Sequence, residues 1–208
     1  MLDFEQILSS PTLTFEEGIA FFRGQGMLNK TLLQVVADLE KAGIDYAVIG
    51  AVALNLHGYK RFTEDIDLLV TKDGLEIFRQ QLVGLGYRPN FEGAKKQFRT
   101  SETNVRVEFV TTGEYPGDGK PKAVVFPAPT DNTEEIDGVR TITLKKLIEL
   151  KLASGISAPD RLKDLADVQE LIRLRGLGAE FSRELDPSVR AKYLELHQAI
   201  AQARERER

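Results

Sequence analysis

Two aspartates separated by one residue are the feature of this sequence with the clearest chemical potential. Asp65 and Asp67 lie in residues 64–70, where polar and apolar residues alternate as in a β-strand. Side chains two residues apart on a strand share a face at roughly 6.5 Å, and two charges at that spacing repel by about 2.5 kcal/mol at an effective dielectric constant of about 20. A divalent cation between them would reverse that sign, whereas the alternative is a solvated polar face of an edge strand.

A third carboxylate follows in a similar pattern. Residues 105–110 alternate so that Arg106 and Glu108 share the polar face of a second predicted strand. If the two strands are neighbours, Glu108 completes an all-oxygen site of the kind that Mg²⁺ or Mn²⁺ prefers. Taken alone, the pattern also fits an ion pair between Arg106 and Glu108.

The junction of Gly50 and Ala51 lies where a predicted strand meets a short helix. Backbone N–H groups at such a junction favour an anion such as phosphate, and Gly50 allows close approach of the backbone. A tight turn without any ligand would give the same two residues.

Charged residues also fall on apolar faces of two predicted helices near the carboxyl end of the chain. Lys151 projects near the centre of an apolar face in residues 143–155, and Arg161 and Asp164 project onto the apolar face of residues 160–175. These residues predict a basic group for binding a triphosphate, oriented by Asp164. A buried structural salt bridge between Lys151 and Asp164 is the alternative.

The rest of the pattern predicts the elements that position these residues. Helices are predicted over residues 31–42, 51–56, 74–85, 143–155, 160–175 and 187–208, strands over residues 46–49, 65–70, 105–110 and 123–126, and a mobile loop over residues 111–121. The alternation predicts an α/β lobe with N-terminal helices in residues 1–140, followed by a helical lobe in residues 141–208 that completes a cleft.

Composition limits the possible chemistry. The 208 residues include no Cys and only 2 His, which excludes disulfides, thiolate zinc sites and a Cys nucleophile. The net charge of -4 does not indicate a nucleic-acid partner, because affinity for a phosphate backbone comes from clustered Lys and Arg. The chain lacks both a long apolar run and a signal-like N-terminus, which predicts a cytoplasmic protein without a membrane span.

Residues 48–70 resemble the core signature of the polymerase-beta-like nucleotidyltransferase superfamily. That signature is a turn of small residues, a short helix, an Arg and a Thr, and Asp-x-Asp on a strand, here Gly50-Ala51, residues 51–56, Arg61, Thr63 and Asp65-Ile66-Asp67. Lys151, Arg161, Lys163-Asp164 and Asp167 are similar to the K…R-x-K-D-x-x-D pattern of a minimal bacterial branch that includes AbiEii-type toxins of type IV toxin–antitoxin systems. The resemblance spans residues 31–175.

The resemblance implies a mixed β-sheet flanked by helices and an enzyme that moves a nucleoside monophosphate from an NTP to a hydroxyl acceptor. It implies that Asp65, Asp67 and Glu108 bind Mg²⁺ or Mn²⁺ and that Glu108 helps to activate the acceptor. Lys151 and Asp164 would complete the catalytic set, and the nucleotide would be bound by Gly50, Ala51, Arg61, Lys151 and Arg161. RNA is one possible acceptor, and the AbiEii-type branch implies a toxin with a cognate antitoxin protein.

Two other functions remain open on the sequence. The superfamily usually has Gly or Ser at the position of Ala51 and Asp at the position of Glu108. These two departures are the only sequence support for a competing hypothesis, a non-catalytic member of the fold that binds a nucleotide or a partner protein. A phosphate-binding structural module without turnover is the third hypothesis.

Overall fold

The computed structural model describes residues 2–206. The helices are α1 (Phe4–Leu8), α2 (Pro11–Phe22), α3 (Met27–Lys41), α4 (Gly50–Leu56), α5 (Lys72–Gln81), α6 (Leu144–Ser157), α7 (Leu162–Arg175) and α8 (Pro187–Arg206). The strands are β1 (Tyr46–Val48), β2 (Asp65–Val70), β3 (Tyr87–Pro89), β4 (Gln97–Thr100), β5 (Arg106–Thr111), β6 (Thr133–Ile136) and β7 (Val139–Ile142). Short 3₁₀ helices cover Pro159–Arg161 and Ala179–Glu184.

The seven strands form one mixed sheet in the order β3-β4-β5-β2-β1-β7-β6. The β2–β5 and β1–β7 pairs are parallel and the other pairs are antiparallel. β2 lies in the middle of the sheet, and the buried side chains of Ile66, Leu68, Leu69 and Val70 explain that position because a central strand is covered on both faces. This mixed sheet with flanking helices and a helical C-terminal region confirms the predicted fold class.

The helices contact different parts of the sheet and of one another. α3 and α4 both contact β2, α5 contacts β5, and α4 also contacts β7. The last three helices, α6, α7 and α8, pack against each other. A continuous set of buried apolar residues joins the sheet to this helical group, so α6 and α7 are held in a fixed position relative to β2 and β5.

Several predicted elements match the structure and one is wrong. β2 has the predicted bounds, and α3 begins four residues before the predicted start, at Met27. The segment 123–126 was predicted as a strand because of its apolar residues, but it is irregular although Val124 is buried. Pro121, Pro127 and Pro129 explain the difference, since proline supplies no N–H group for a strand ladder.

Helix α5 ends at Gln81, four residues before the predicted end. Gly84 and Gly86 have φ angles of 91° and 142°, which lie outside helical values, and Leu85 is exposed. Strands β3, β4, β6 and β7 are not evident from the sequence because each is short, and several are half exposed. Residues 207 and 208 of the predicted C-terminal helix lie outside the described residues. None of the helices in residues 2–206 combines the length and apolarity needed to cross a membrane.

Candidate active site

The register of two parallel strands assembles the acidic wall of the site. β2 and β5 pair so that Asp67 lies opposite Glu108 and Asp65 lies opposite Arg106. Alternation along both strands places these four side chains on one face of the sheet. The alternating apolar residues, which include Ile66 and Val107, are buried on the other face. The expectation that Glu108 lies on a strand next to Asp65 and Asp67 is therefore met by the pairing.

Both carboxylate oxygens of Asp65 have protein partners. The hydroxyl of Thr63 donates to Oδ1 at 2.7 Å, and Nη2 of Arg106 donates to Oδ2 at 2.6 Å. Charge-assisted hydrogen bonds of this length fix the orientation of the carboxylate. Arg106 thus forms an ion pair with Asp65 on the adjacent strand. The alternative ion pair between Arg106 and Glu108, which the sequence left open, is not formed.

Asp67 lies among like charges. Burial, together with the negative charges of Asp65 and Glu108, raises the pKa of Asp67 to about 7, against the opposing effects of Lys151 and Arg106. The ionised form of a carboxyl group whose pKa is raised in this way would be stabilised by an additional positive charge. A hard divalent cation, which prefers oxygen ligands, would supply that charge.

The turn at Gly50 brings the backbone close to Asp67. Gly50 has a φ of 64°, and a Cβ at this position would overlap the Asp67 carboxylate. Both facts require glycine, because a side chain would be strained and would also displace Asp67. Ala51 follows as a buried residue of α4.

We therefore expect Gly50→Ala to reduce the nucleotidyl transfer that the sequence resemblance implies by about a hundredfold. The added Cβ would displace the Asp67 carboxylate, and a displacement near 1 Å in an active site has an effect of that size. Gly58→Ala is the matched control, because Gly58 has a φ of 96° but no atom lies within 4 Å of its added Cβ. Comparing turnover and melting temperature separates backbone strain, which both variants share, from displacement of Asp67. Equal losses in the two variants would contradict this explanation.

Lys151 lies at the centre of a buried charge network on the opposite wall. Its Nζ is 3.0 Å from Oδ1 of Asp164 and 2.8 Å from Oδ2 of Asp167, and all three side chains are nearly inaccessible to solvent. The hydroxyl of Ser154 also donates to Asp164 at 2.7 Å. Burial alone would raise the pKa of Asp164, but the positive charge of Lys151 and the hydrogen bonds from Ser154 and Lys151 hold it below its usual value. The salt bridge that the sequence offered as an alternative is present, and Lys151 also faces the cavity.

Arg61 connects this network to the loop after α4. Its Nη1 donates to Oδ2 of Asp167 at 2.7 Å, so Asp167 bridges Arg61 and Lys151. Asn55 holds the backbone of Arg61 in two directions, donating to its carbonyl at 2.6 Å and accepting from its N–H at 3.0 Å. Neither Asn55 nor Asp167 was assigned a role from the sequence, although Asp167 lies in the K…R-x-K-D-x-x-D pattern.

Arg161 differs from its sequence-based projection. We expected it on the buried face of the second helix, but it ends the 3₁₀ turn before α7, and its side chain is 47% exposed. Its Nε donates to Oδ2 of Asp164 at 2.9 Å. The proline at position 159 explains the difference, because it starts a separate tight turn and the α-helix begins only at Leu162. The side chain of Arg161 consequently lines the cavity and is accessible to solvent.

A cavity of about 380 Å³ lies between the acidic and the basic walls. It is lined by all the residues predicted to form the site, which are Gly50, Ala51, Arg61, Asp65, Asp67, Glu108, Lys151, Arg161 and Asp164. One side is contributed by residues 114–117, which follow β5, and Gly117 contacts α6 so closely that a Cβ there would overlap Ser154 and Ser157. The structure thus brings the predicted residues together, and their roles remain predictions.

The fit of a divalent cation depends on the carboxylates. Asp65, Asp67 and Glu108 offer only oxygen donors, and the raised pKa of Asp67 shows that their charges interact. In residues 2–206 as they stand, however, no three His, Cys, Asp or Glu side chains form a group spaced to hold a metal ion. The hydrogen bonds from Thr63 and Arg106 to the two oxygens of Asp65 explain part of this result, because they direct the carboxylate toward protein donors and away from a shared metal position.

Comparisons with known proteins bear on the class of protein. Residues 28–112 match a family described as "Nucleotidyl transferase of unknown function (DUF2204)". This match covers less than half of the chain and includes Gly50, Asp65, Asp67 and Glu108, while α6 and α7 lie outside it. No curated protein matches the sequence.

Solved structures show the same fold. The solution structure of the antibiotic-resistance factor ANT(2'')-Ia is 16% identical, with a TM-score of 0.52 over 85% of this chain and 96% of that one. The crystal structure of ANT(2'')-Ia in complex with adenylyl-2''-tobramycin is 17% identical, with a TM-score of 0.50 over 82% of this chain and 97% of that one. The crystal structure of a putative nucleotidyltransferase from H. pylori is 16% identical, with a TM-score of 0.46 over 87% of this chain and 97% of that one.

The chain therefore has the nucleotidyltransferase fold, and the family match together with that fold supports the nucleotidyltransferase superfamily. The description of the matching family indicates the class of enzyme, a nucleotidyltransferase. The comparisons do not bear on the AbiEii-type branch.

Proposed function

We propose that this protein transfers a nucleoside monophosphate from an NTP to a hydroxyl acceptor, with Mg²⁺ or Mn²⁺ bound by Asp65, Asp67 and Glu108. The observation that carries the proposal is the lining of the cavity, which combines carboxylates from β2 and β5 with the cationic groups of Arg61, Lys151 and Arg161. A triphosphate and its cations need both kinds of wall at once.

Each wall has a separate task in this proposal. Arg61, Lys151 and Arg161 bind phosphate oxygens, and Gly50 keeps the backbone clear of Asp67. Asp65, Asp67 and Glu108 would hold the divalent cation, which would supply positive charge that lowers the barrier to attack at the α-phosphate. Glu108 accepts the proton of the acceptor hydroxyl, whose oxygen forms a bond to the α-phosphorus as the bond to the pyrophosphate oxygen breaks.

Two acceptors are proposed, RNA and an aminoglycoside. RNA is our first candidate, because Arg161 and Lys163 lie at the cavity and are exposed to solvent, where they can reach a phosphate backbone. An aminoglycoside is the second acceptor to test, because the ANT(2'')-Ia complex contains adenylyl-2''-tobramycin. The AbiEii-type resemblance adds a toxin role in bacteria, with a cognate antitoxin as partner.

The proposal is tested by calorimetric titration with ATP, CTP, GTP and UTP in the presence of Mg²⁺, followed by measurement of pyrophosphate release with RNA or tobramycin as acceptor. We expect at least one NTP to bind and to release pyrophosphate. Binding without release would favour the non-catalytic alternative, and absence of binding would favour a structural module.

Variants of Glu108 refine this test. Glu108→Gln should lower turnover by about a hundredfold or more while changing nucleotide affinity little, because a general base acts in the transition state. Glu108→Asp should retain measurable turnover, and Glu135→Gln, an exposed strand residue outside the cavity, should behave as the wild type. Comparable losses of affinity and turnover in Glu108→Gln would remove the proposed role as a base.

A further inference from the structure

Arg106 is a charged residue next to the proposed metal ligands for which the sequence suggested no role in catalysis. It stands opposite Asp65 in the parallel β2–β5 register, and its Nη2 lies 2.6 Å from Oδ2 of Asp65. Its guanidinium thus compensates the negative charge of a carboxylate that we propose as a metal ligand. A cation that binds Asp65 through this oxygen must compete with Arg106.

Apart from this contact, the guanidinium is incompletely bonded. Nε of Arg106 is the buried side-chain polar atom that lacks a hydrogen-bond partner in the described part of the chain. A guanidinium has five N–H donors, and a buried donor without a partner destabilises the arrangement that leaves it unpaired. The pairing seen here therefore leaves Arg106 short of its full hydrogen bonding, which lowers the cost of moving it.

We propose that Arg106 is an exchangeable counter-ion of Asp65, which neutralises this carboxylate until a divalent cation takes over and which thereby sets the metal affinity of the site. This inference rests on the proposed function. Thr63, which bonds the other oxygen of Asp65 at 2.7 Å, carries no charge and keeps the carboxylate oriented during the exchange. The site consequently holds a metal less tightly before a nucleotide adds its own negative charge.

The electrostatic consequence can be measured without catalysis. Removing a unit positive charge next to two or three carboxylates favours a divalent cation by more than about 1.4 kcal/mol even at an effective dielectric constant of about 20, which corresponds to about tenfold in affinity. Arg106→Gln removes the charge and keeps a polar side chain, whereas Arg106→Lys keeps the charge.

The experiment is a titration of the nucleotide-free full-length protein with Mn²⁺, in which free Mn²⁺ is followed by electron paramagnetic resonance. We expect Arg106→Gln to bind Mn²⁺ about tenfold more tightly than the wild type, and Arg106→Lys to remain within about twofold of it. Arg140→Gln is the matched control, because Arg140 also lies on a strand and pairs with an aspartate, Asp45, at 3.0 Å, but outside the cavity.

Unchanged or weaker binding by Arg106→Gln would overturn the inference, as would tighter binding by Arg106→Lys. If Arg106→Gln fails to fold, the wild type still answers the question by nuclear magnetic resonance. Addition of Mg²⁺ should then shift the guanidinium signals of Arg106 and leave those of Arg140 unchanged, and an unmoved Arg106 signal would overturn the exchange.

The outcomes also separate this inference from the proposed function. Equal Mn²⁺ binding by the wild type and Arg106→Gln would refute the exchange and leave the metal-dependent enzyme intact. If neither protein bound Mn²⁺, with or without an NTP, both the exchange and the proposed metal site would be refuted.

Discussion

Replacing Asp67 by Asn is expected to reduce nucleotidyl transfer by about a thousandfold or more, because it removes a proposed metal ligand at the centre of the acidic wall and metal stabilisation of the transition state amounts to several kcal/mol. Steady-state pyrophosphate release with the preferred NTP measures this effect. Glu64→Gln is the matched control, since Glu64 is exposed, precedes the same strand and does not line the cavity.

The same variant should be more stable than the wild type in metal-free buffer. The pKa of Asp67 is raised to about 7 in the folded protein, so the folded state holds this proton more tightly than the unfolded chain does. Ionisation of Asp67 therefore lowers the stability of the wild type as pH rises from about 4 to 7, by at most about 4 kcal/mol. The asparagine side chain of the variant cannot ionise and escapes this cost.

Thermal unfolding in EDTA should show this difference directly. The melting temperature of Asp67→Asn should exceed that of the wild type by several degrees at pH 8 and by little at pH 4. Mn²⁺ should then stabilise the wild type and not the variant. A variant that is less stable than the wild type at pH 8 would show that Asp67 has a structural role and would count against the metal site.

Lys151→Met is expected to destabilise the protein by about 3–5 kcal/mol, because it leaves Asp164 and Asp167 buried without their shared cation. For a chain of this length, that loss lowers the melting temperature by roughly 10 °C. Lys145→Met is the matched control, since Lys145 lies on the same helix with its side chain exposed. Its melting temperature should change by about 1 °C or less.

The cause can be isolated by a double variant. Combining Lys151→Met with Asp164→Asn removes one of the two carboxylates that lose Lys151 as a partner, so the loss should be smaller than the sum of the single losses by about 1 kcal/mol or more. At a temperature where both proteins are folded, Lys151→Met should also weaken triphosphate binding more than monophosphate binding. Full triphosphate affinity with a raised melting temperature would limit Lys151 to a replaceable structural pair.

Local patterns in the sequence determined much of the site. Alternation along residues 64–70 and 105–110 placed Asp65, Asp67 and Glu108 on polar faces, and helical periodicity placed Lys151 on a buried face, as the structure has them. These properties depend on residues a few positions apart, which is the range over which strand and helix periods operate. The strand predicted over residues 123–126 is absent, because apolar composition alone does not determine a strand where prolines flank the segment.

Only the tertiary structure decided which side chains meet. The parallel register of β2 and β5 pairs Asp65 with Arg106 over a separation of 41 residues, and the Lys151 network reaches Arg61 through Asp167 over 106 residues. Such contacts depend on strand order, register and the packing of α6 and α7 against the sheet, none of which is encoded in a local period. For the same reason, the sequence identified Gly50 as a turn residue, whereas the structure shows that a side chain there would displace Asp67.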